Sequence, residues 1–117
     1  MSAVEVFDPT PAVAAQVFAA LGDRTRLSLL SKLGDGQARS IAFLSADTDL
    51  TRQAITKHLH VLQGAGLVAS LRVGRESRFA ARREALDEAR AYLDRVSAQW
   101  DDTLARLKAF VETEEVR

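Results

Sequence analysis

The sequence predicts a mostly helical chain, interrupted by one small β-hairpin and closed by a long helix. Three observations lead there. Apolar residues at three- and four-residue spacing, separated by glycines and capping residues, run through the first 66 positions. The alternating stretch from Leu67 to Val73 is followed by a glycine-containing turn and a second β-capable stretch, Arg78-Phe79-Ala80. From about residue 84 to 112 neither proline nor glycine occurs, and apolar residues return every three or four positions.

Taken in order, residues 1–10 lack periodicity and are expected to form a flexible N-terminus. Thr10-Pro11 starts the first helix (about 11–21), with Thr as N-cap and Pro at the first helical position. Val13, Val17, Phe18 and Leu21 fall at helical spacing, and Gly22 ends the run. Asp23 caps a second helix carrying Leu27, Leu29, Leu30 and Leu33, closed by Gly34-Asp35-Gly36. Ser40 caps a short third helix with Ile41, Phe43 and Leu44. The polar run Ser45 to Asp49 reads as a turn, Thr51 caps a fourth helix, and Gly66 is the left-handed residue just past its end. A helix-turn-helix over about 40–65 thus precedes a hairpin over about 67–81, with its turn at Gly74-Arg75-Glu76-Ser77, and a last helix over about 84–112 that is long enough to kink. Residues 11–117 are expected to form a single domain.

The 117 residues are 47% apolar and 27% charged, without cysteine, which excludes disulfides and thiolate metal sites. No apolar run approaches the roughly 20 residues of a membrane span, and no secretory signal is evident, so a cytoplasmic location is expected. The net charge is zero but unevenly placed. Residues 51–83 hold seven basic and one acidic side chain, flanked by acidic stretches. Such a concentration suits phosphate better than a generic solvated surface does.

In TRQAITKHLHVLQGAG, residues 51–66, Ile55, Leu59 and Leu62 lie together on a helix and dock it. Gln53, Thr56, Lys57 and His60 occupy the other side, and Arg52 sits in the first turn. Gln can bond adenine, Arg and Lys can reach guanine, and a threonine methyl can meet thymine. Any surface helix has a polar side, but here the hairpin that follows carries Arg72, Arg75 and Arg78, which can lie along phosphates or enter a minor groove. Helix, turn, helix and basic hairpin is the order of a winged helix-turn-helix that binds double-stranded DNA.

These same segments, VFAALGDRTRLSLLSKL, SIAFLSADTDLTRQAITKHLHVLQGAGLV and VGRESRFAA, resemble the bacterial ArsR/SmtB winged-helix repressors from about Ala12 onward. The resemblance implies that Thr51, Arg52, Gln53, Thr56, Lys57 and His60 face DNA. Arg24 stands where family members often have proline, which touches helix initiation only. The resemblance also implies a homodimer formed by the first and last helices, where Val13 and Val17 would join Leu86, Ala89, Leu93, Val96, Trp100, Leu104 and Leu107. On the last helix Leu86, Ala89, Leu93, Val96, Trp100, Thr103, Leu107 and Phe110 follow the alternating spacing of a coiled-coil seam, Leu104 and Val111 widen it, and a helix this long would outrun so small a core.

No metal site or other cofactor is expected. The segment Ser40 to Ser45 has no thiolate or imidazole, the last helix has no histidine, and His58 and His60 diverge by about 200° around their helix. His58 is expected to pack or hydrogen-bond near the surface. No pocket motif or nucleophile supports an enzyme. Core packing explains Phe18 and Trp100 better than a ligand pocket between the first and last helices. The chain most resembles the metal-independent, SdpR-like autorepressor branch, which implies repression with an unidentified inducer, a protein partner, or neither. The alternatives are a non-specific nucleoid-type DNA-binding protein and a winged-helix protein-interaction module.

Overall fold

A computed structural model describes residues 11–116, so Thr10 and the expected flexible N-terminus lie outside the described residues. The elements are α1 (Pro11–Leu21), α2 (Arg24–Lys32), β1 (Arg39–Ser40), α3 (Ile41–Ser45), α4 (Arg52–Gly64), β2 (Val68–Val73), β3 (Glu76–Ala81) and α5 (Arg83–Val116). The architecture is mostly helical, with a small antiparallel sheet and a long C-terminal helix.

Local chemistry sets the helix boundaries. Asp23 Oδ2 accepts the Arg26 N–H at 3.0 Å, Ser40 Oγ that of Phe43 at 3.1 Å, and Thr51 Oγ1 that of Ala54 at 3.0 Å. Each satisfies a donor that the first turn of a helix leaves unpaired. At the far end of α4, Gly66 takes a φ of 78°. Its N–H reaches Gln63 O at 3.0 Å, while Leu67 N–H reaches Leu62 O at 2.9 Å. This is a Schellman ending, and the buried Leu62 and Leu67 provide the apolar pair that usually accompanies one.

The core gathers one apolar side from nearly every element. Leu29 and Leu33 from the second helical segment, Leu44, Ile55, Leu59, Leu62, Leu67 and Val68 are fully buried. Val17 and Ala20 of α1, Phe79 of β3, and Ala85 and Ala89 of α5 complete the cluster. Lys32 reinforces the α2–α3 junction by donating to Leu44 O at 3.0 Å and pairing with Asp47 beyond α3.

The sheet departs from the sequence expectation in two ways. Val73 pairs with Glu76, so the loop is only Gly74-Arg75, and Glu76 and Ser77 belong to β3. Gly74, at a φ of 65°, allows reversal within two residues. The third strand, β1, pairs antiparallel with β3 through Arg39↔Phe79 and Ser40↔Arg78, giving the order β1-β3-β2. Two residues are too few to show alternation in the sequence, and only the pairing reveals them.

The last helix is continuous and longer at both ends than expected. Its 34 residues give it a length of about 51 Å. Ala85 and Ala89 are buried, Tyr92 and Val96 are half-buried, and beyond Val96 every described side chain is exposed. Trp100, Leu104, Leu107 and Phe110 stand 61, 52, 55 and 62% exposed. Packing within the chain therefore accounts for Phe18, whose ring meets Tyr92 at 6.0 Å, but not for Trp100. Two residues expected at a dimer surface, Val17 and Ala89, are buried in the chain's own core because they face the α1–α5 contact. Val13, Leu86 and Leu93 are exposed, ahead of the exposed distal stripe.

Candidate nucleic-acid interface

Helix α4 divides along its length. Ile55, Leu59 and Leu62 are completely buried, which fixes the helix against the core. Arg52, Gln53, Lys57 and His60 are exposed, and among the described residues their side chains form no ion pair or hydrogen bond. Their polar groups are free for a ligand. The two threonines are partly engaged. Thr51 Oγ1 is the cap acceptor and keeps a proton to donate, whereas the half-buried Thr56 donates its hydroxyl to Arg52 O at 2.7 Å. That leaves Thr56 a methyl group and acceptor lone pairs.

His58 has a different environment from His60. Its Nδ1 lies 3.2 Å from Arg26 Nη1 and 3.8 Å from Asp23 Oδ2. Arg26 also donates Nε to Ala20 O at 2.7 Å and Nη2 to Ala19 O at 3.2 Å. The Arg26 N–H holds the Asp23 carboxyl below its ordinary range, with further help from the charge of Arg26. Sequence reasoning singled out Asp23 and His58 but missed Arg26. A signal was present: residues 26, 29 and 33 fall on one helical side, so Arg26 interrupts the buried face formed by Leu29 and Leu33.

The three wing arginines do not form one row. Side chains alternate between the faces of a sheet, and the pairing Arg72↔Ser77 puts Arg72 with Phe79, whereas Arg78 faces the other way with Leu71 and Glu76. Arg78 Nε donates to Glu76 Oε1 at 2.8 Å. Arg72 and the loop residue Arg75 have no such partner among the described residues and are exposed. The structure therefore joins a basic, uncommitted helix face and two free wing cations to one rigid core. Such a surface can contact base edges and phosphates together.

Comparison with known proteins decides the family. A helix-turn-helix domain model matches residues 21–70. The uncharacterized HTH-type transcriptional regulator YuzN of Bacillus subtilis is 43% identical over 65 residues, spanning 50% of this chain and 71% of the relative. The structure of an ArsR-like transcriptional regulator from Rhodococcus sp. RHA1 is 43% identical, with a TM-score of 0.76 over 85% of this chain and 92% of that one. The chain belongs to the ArsR family. It is thus a DNA-binding transcriptional regulator with a winged helix-turn-helix fold, in which α3 and α4 are the helix-turn-helix and β2 and β3 the wing. A further ArsR-like structure is the homodimeric winged helix-turn-helix DNA-binding domain from Mycobacterium bovis, 26% identical, with a TM-score of 0.60 over 86% of this chain and 93% of that one. Among the described residues of this ArsR-family chain, no helix is long and apolar enough to cross a membrane, and no three His, Cys, Asp or Glu residues are grouped to hold a metal ion.

Proposed function

We propose that this ArsR-family chain is a homodimeric, metal-independent repressor that occupies a palindromic operator, its own promoter included. Residues 11–117 act as one winged-helix unit. Gln53, Arg52 and Lys57 read base edges, Thr51, Thr56 and His60 contact bases or backbone nearby, and Arg72 and Arg75 hold phosphates. Arg78 has a lesser part because Glu76 already engages it. The observation that carries this reading is the division of α4, with a completely buried apolar side opposite four polar side chains that have no partner among the described residues.

The uncovered stripe on α5 supports dimerisation. A second copy seated on Trp100, Leu104, Leu107 and Phe110, and on Val13, Leu86 and Leu93 nearer the core, would remove a large apolar surface from water. Two-fold pairing would also place two copies of α4 at half-sites roughly 34 Å apart. The homodimeric relative from Mycobacterium bovis favours the same assembly. An inducer or protein partner would act on this dimer.

The deciding experiment is binding to DNA from upstream of the chain's own gene, with excess random competitor, at two salt concentrations. Retention of the upstream fragment is the expected outcome. Equal loss of upstream and random DNA would replace this reading with non-specific, nucleoid-type binding, and no binding to either would leave a protein-interaction module.

A further inference from the structure

We propose that Arg26 is a positioning residue for DNA readout, holding α4 in register with the carboxyl end of α1 through neutral His58. This rests on the proposal that α4 reads DNA and extends it to a residue that no DNA contact would involve. The guanidinium joins three helices. It belongs to α2, donates to the last-turn carbonyls of Ala19 and Ala20 in α1, and reaches the ring of His58 in the middle of α4. The Ala20 carbonyl needs an outside donor because a helix leaves its final C=O groups unpaired, whereas Ala19 O also accepts the Gly22 N–H at 3.2 Å; a cation there also meets the negative end of the helix dipole.

The chemistry of the pair assigns a role to the Nδ1 atom of His58. Arginine only donates and stays charged, so at 3.2 Å the His58 Nδ1 must accept, and the ring proton sits on Nε2. A second proton, on Nδ1, would set donor against donor. The new N–H would turn instead toward Asp23 Oδ2, now 3.8 Å away, the same oxygen that caps α2. The anchor of α4 would then shift from the end of α1 to the cap of α2. Asp23 and Arg26, both at the start of α2, are the charged groups facing His58 among the described residues, and α1 offers only carbonyls there. Because α1 also lies beside α5, this link joins the proposed dimer helices to the proposed reading helix.

The test measures preference for the chain's own upstream DNA over random duplex of equal length, at about pH 8 and about pH 5.5, either side of the range in which imidazole titrates. The unsubstituted chain is expected to lose preference at the lower pH. His58→Asn puts a non-titrating acceptor near the place of Nδ1 and should keep the higher-pH preference at both values. It retains His60, so any gain in phosphate attraction from that ring is common to both chains. Arg26→Lys keeps the charge but cannot reach three acceptors, and should show weak preference throughout while remaining folded by circular dichroism. A His58→Asn profile parallel to that of the unsubstituted chain overturns the proposal, as does a proton on His58 Nδ1 at the higher pH in nitrogen-15 spectra of the imidazole. No preference in any chain, with Nδ1 unprotonated, would mark failure of the DNA reading itself, and the coupling would fall with it.

Discussion

Arg78 Nε and Glu76 Oε1 lie 2.8 Å apart on one face of the wing, so one of the three arginines in this hairpin has its charge engaged within the chain. Arg75, at the tip, has no such partner among the described residues. Arg75→Ala should therefore weaken binding to operator and random DNA alike and lower the salt slope by roughly one unit, with a smaller change for Arg78→Ala. Glu76→Ala, which frees Arg78, should strengthen both. Fluorescence anisotropy across a salt series measures all three, and equal slopes for the two arginine variants would contradict the argument.

Gln53 projects from α4 with its amide oxygen and NH2 group unpartnered among the described residues, whereas Leu59, on the opposite side, is completely buried. Gln53→Ala should reduce discrimination between operator and random DNA by about 1–3 kcal/mol and leave stability unchanged. Leu59→Ala should instead destabilise the fold by about 2–5 kcal/mol in urea unfolding, through lost burial and the cavity left behind. An equal loss of affinity for operator and random DNA in Gln53→Ala would remove that residue from base readout.

The exposure of Trp100 in the single chain makes it a sharp probe of assembly. Trp100→Glu should leave the helical content of the chain intact, because Trp100 is not part of the buried core, and convert the proposed dimer to monomer on a sizing column. A charge in an apolar seam would have to leave water without a partner. Operator affinity should fall with it, since two half-sites would no longer be held together. A Trp100→Glu chain that elutes as a dimer would move the interface elsewhere.

Acid stability follows from three carboxylates. The Arg26 N–H lowers the pKa of Asp23, the Gln37 N–H and then Arg39 lower that of Asp35, and the hydrogen bond from Lys32 lowers that of Asp47. A depressed folded-state pKa adds stability above the unfolded value of about 3.9, and this is lost as pH falls through the folded value. The Tm should thus be nearly level above about pH 5.5 and decline below about pH 4. Asp47→Asn should lower the Tm at neutral pH and flatten the acid decline. An unchanged acid profile in that variant would show that its pairing with Lys32 contributes no pH dependence.

Much of this protein is determined by its sequence alone, because the causes are local. A side chain three residues from the N–H it accepts, as in Asp23, Ser40 and Thr51, specifies a helix start, and Gly66 specifies an end. The spacing of Ile55, Leu59 and Leu62 specifies which side of α4 is buried and therefore which side is free. The order of these elements, with the basic middle of the chain, is enough to indicate a DNA-binding winged helix. Tertiary structure decided the rest. Arg26 and His58 are 32 residues apart, and only the packing of α2 on α4 brings them together. The two residues of β1 become a strand only because β3 pairs with them. Val17 and Ala89 enter the core while Trp100 stays outside it because the rest of the chain covers only the first part of α5. Spacing states which residues share a side of a helix, and only the arrangement of the other elements states where that side is covered.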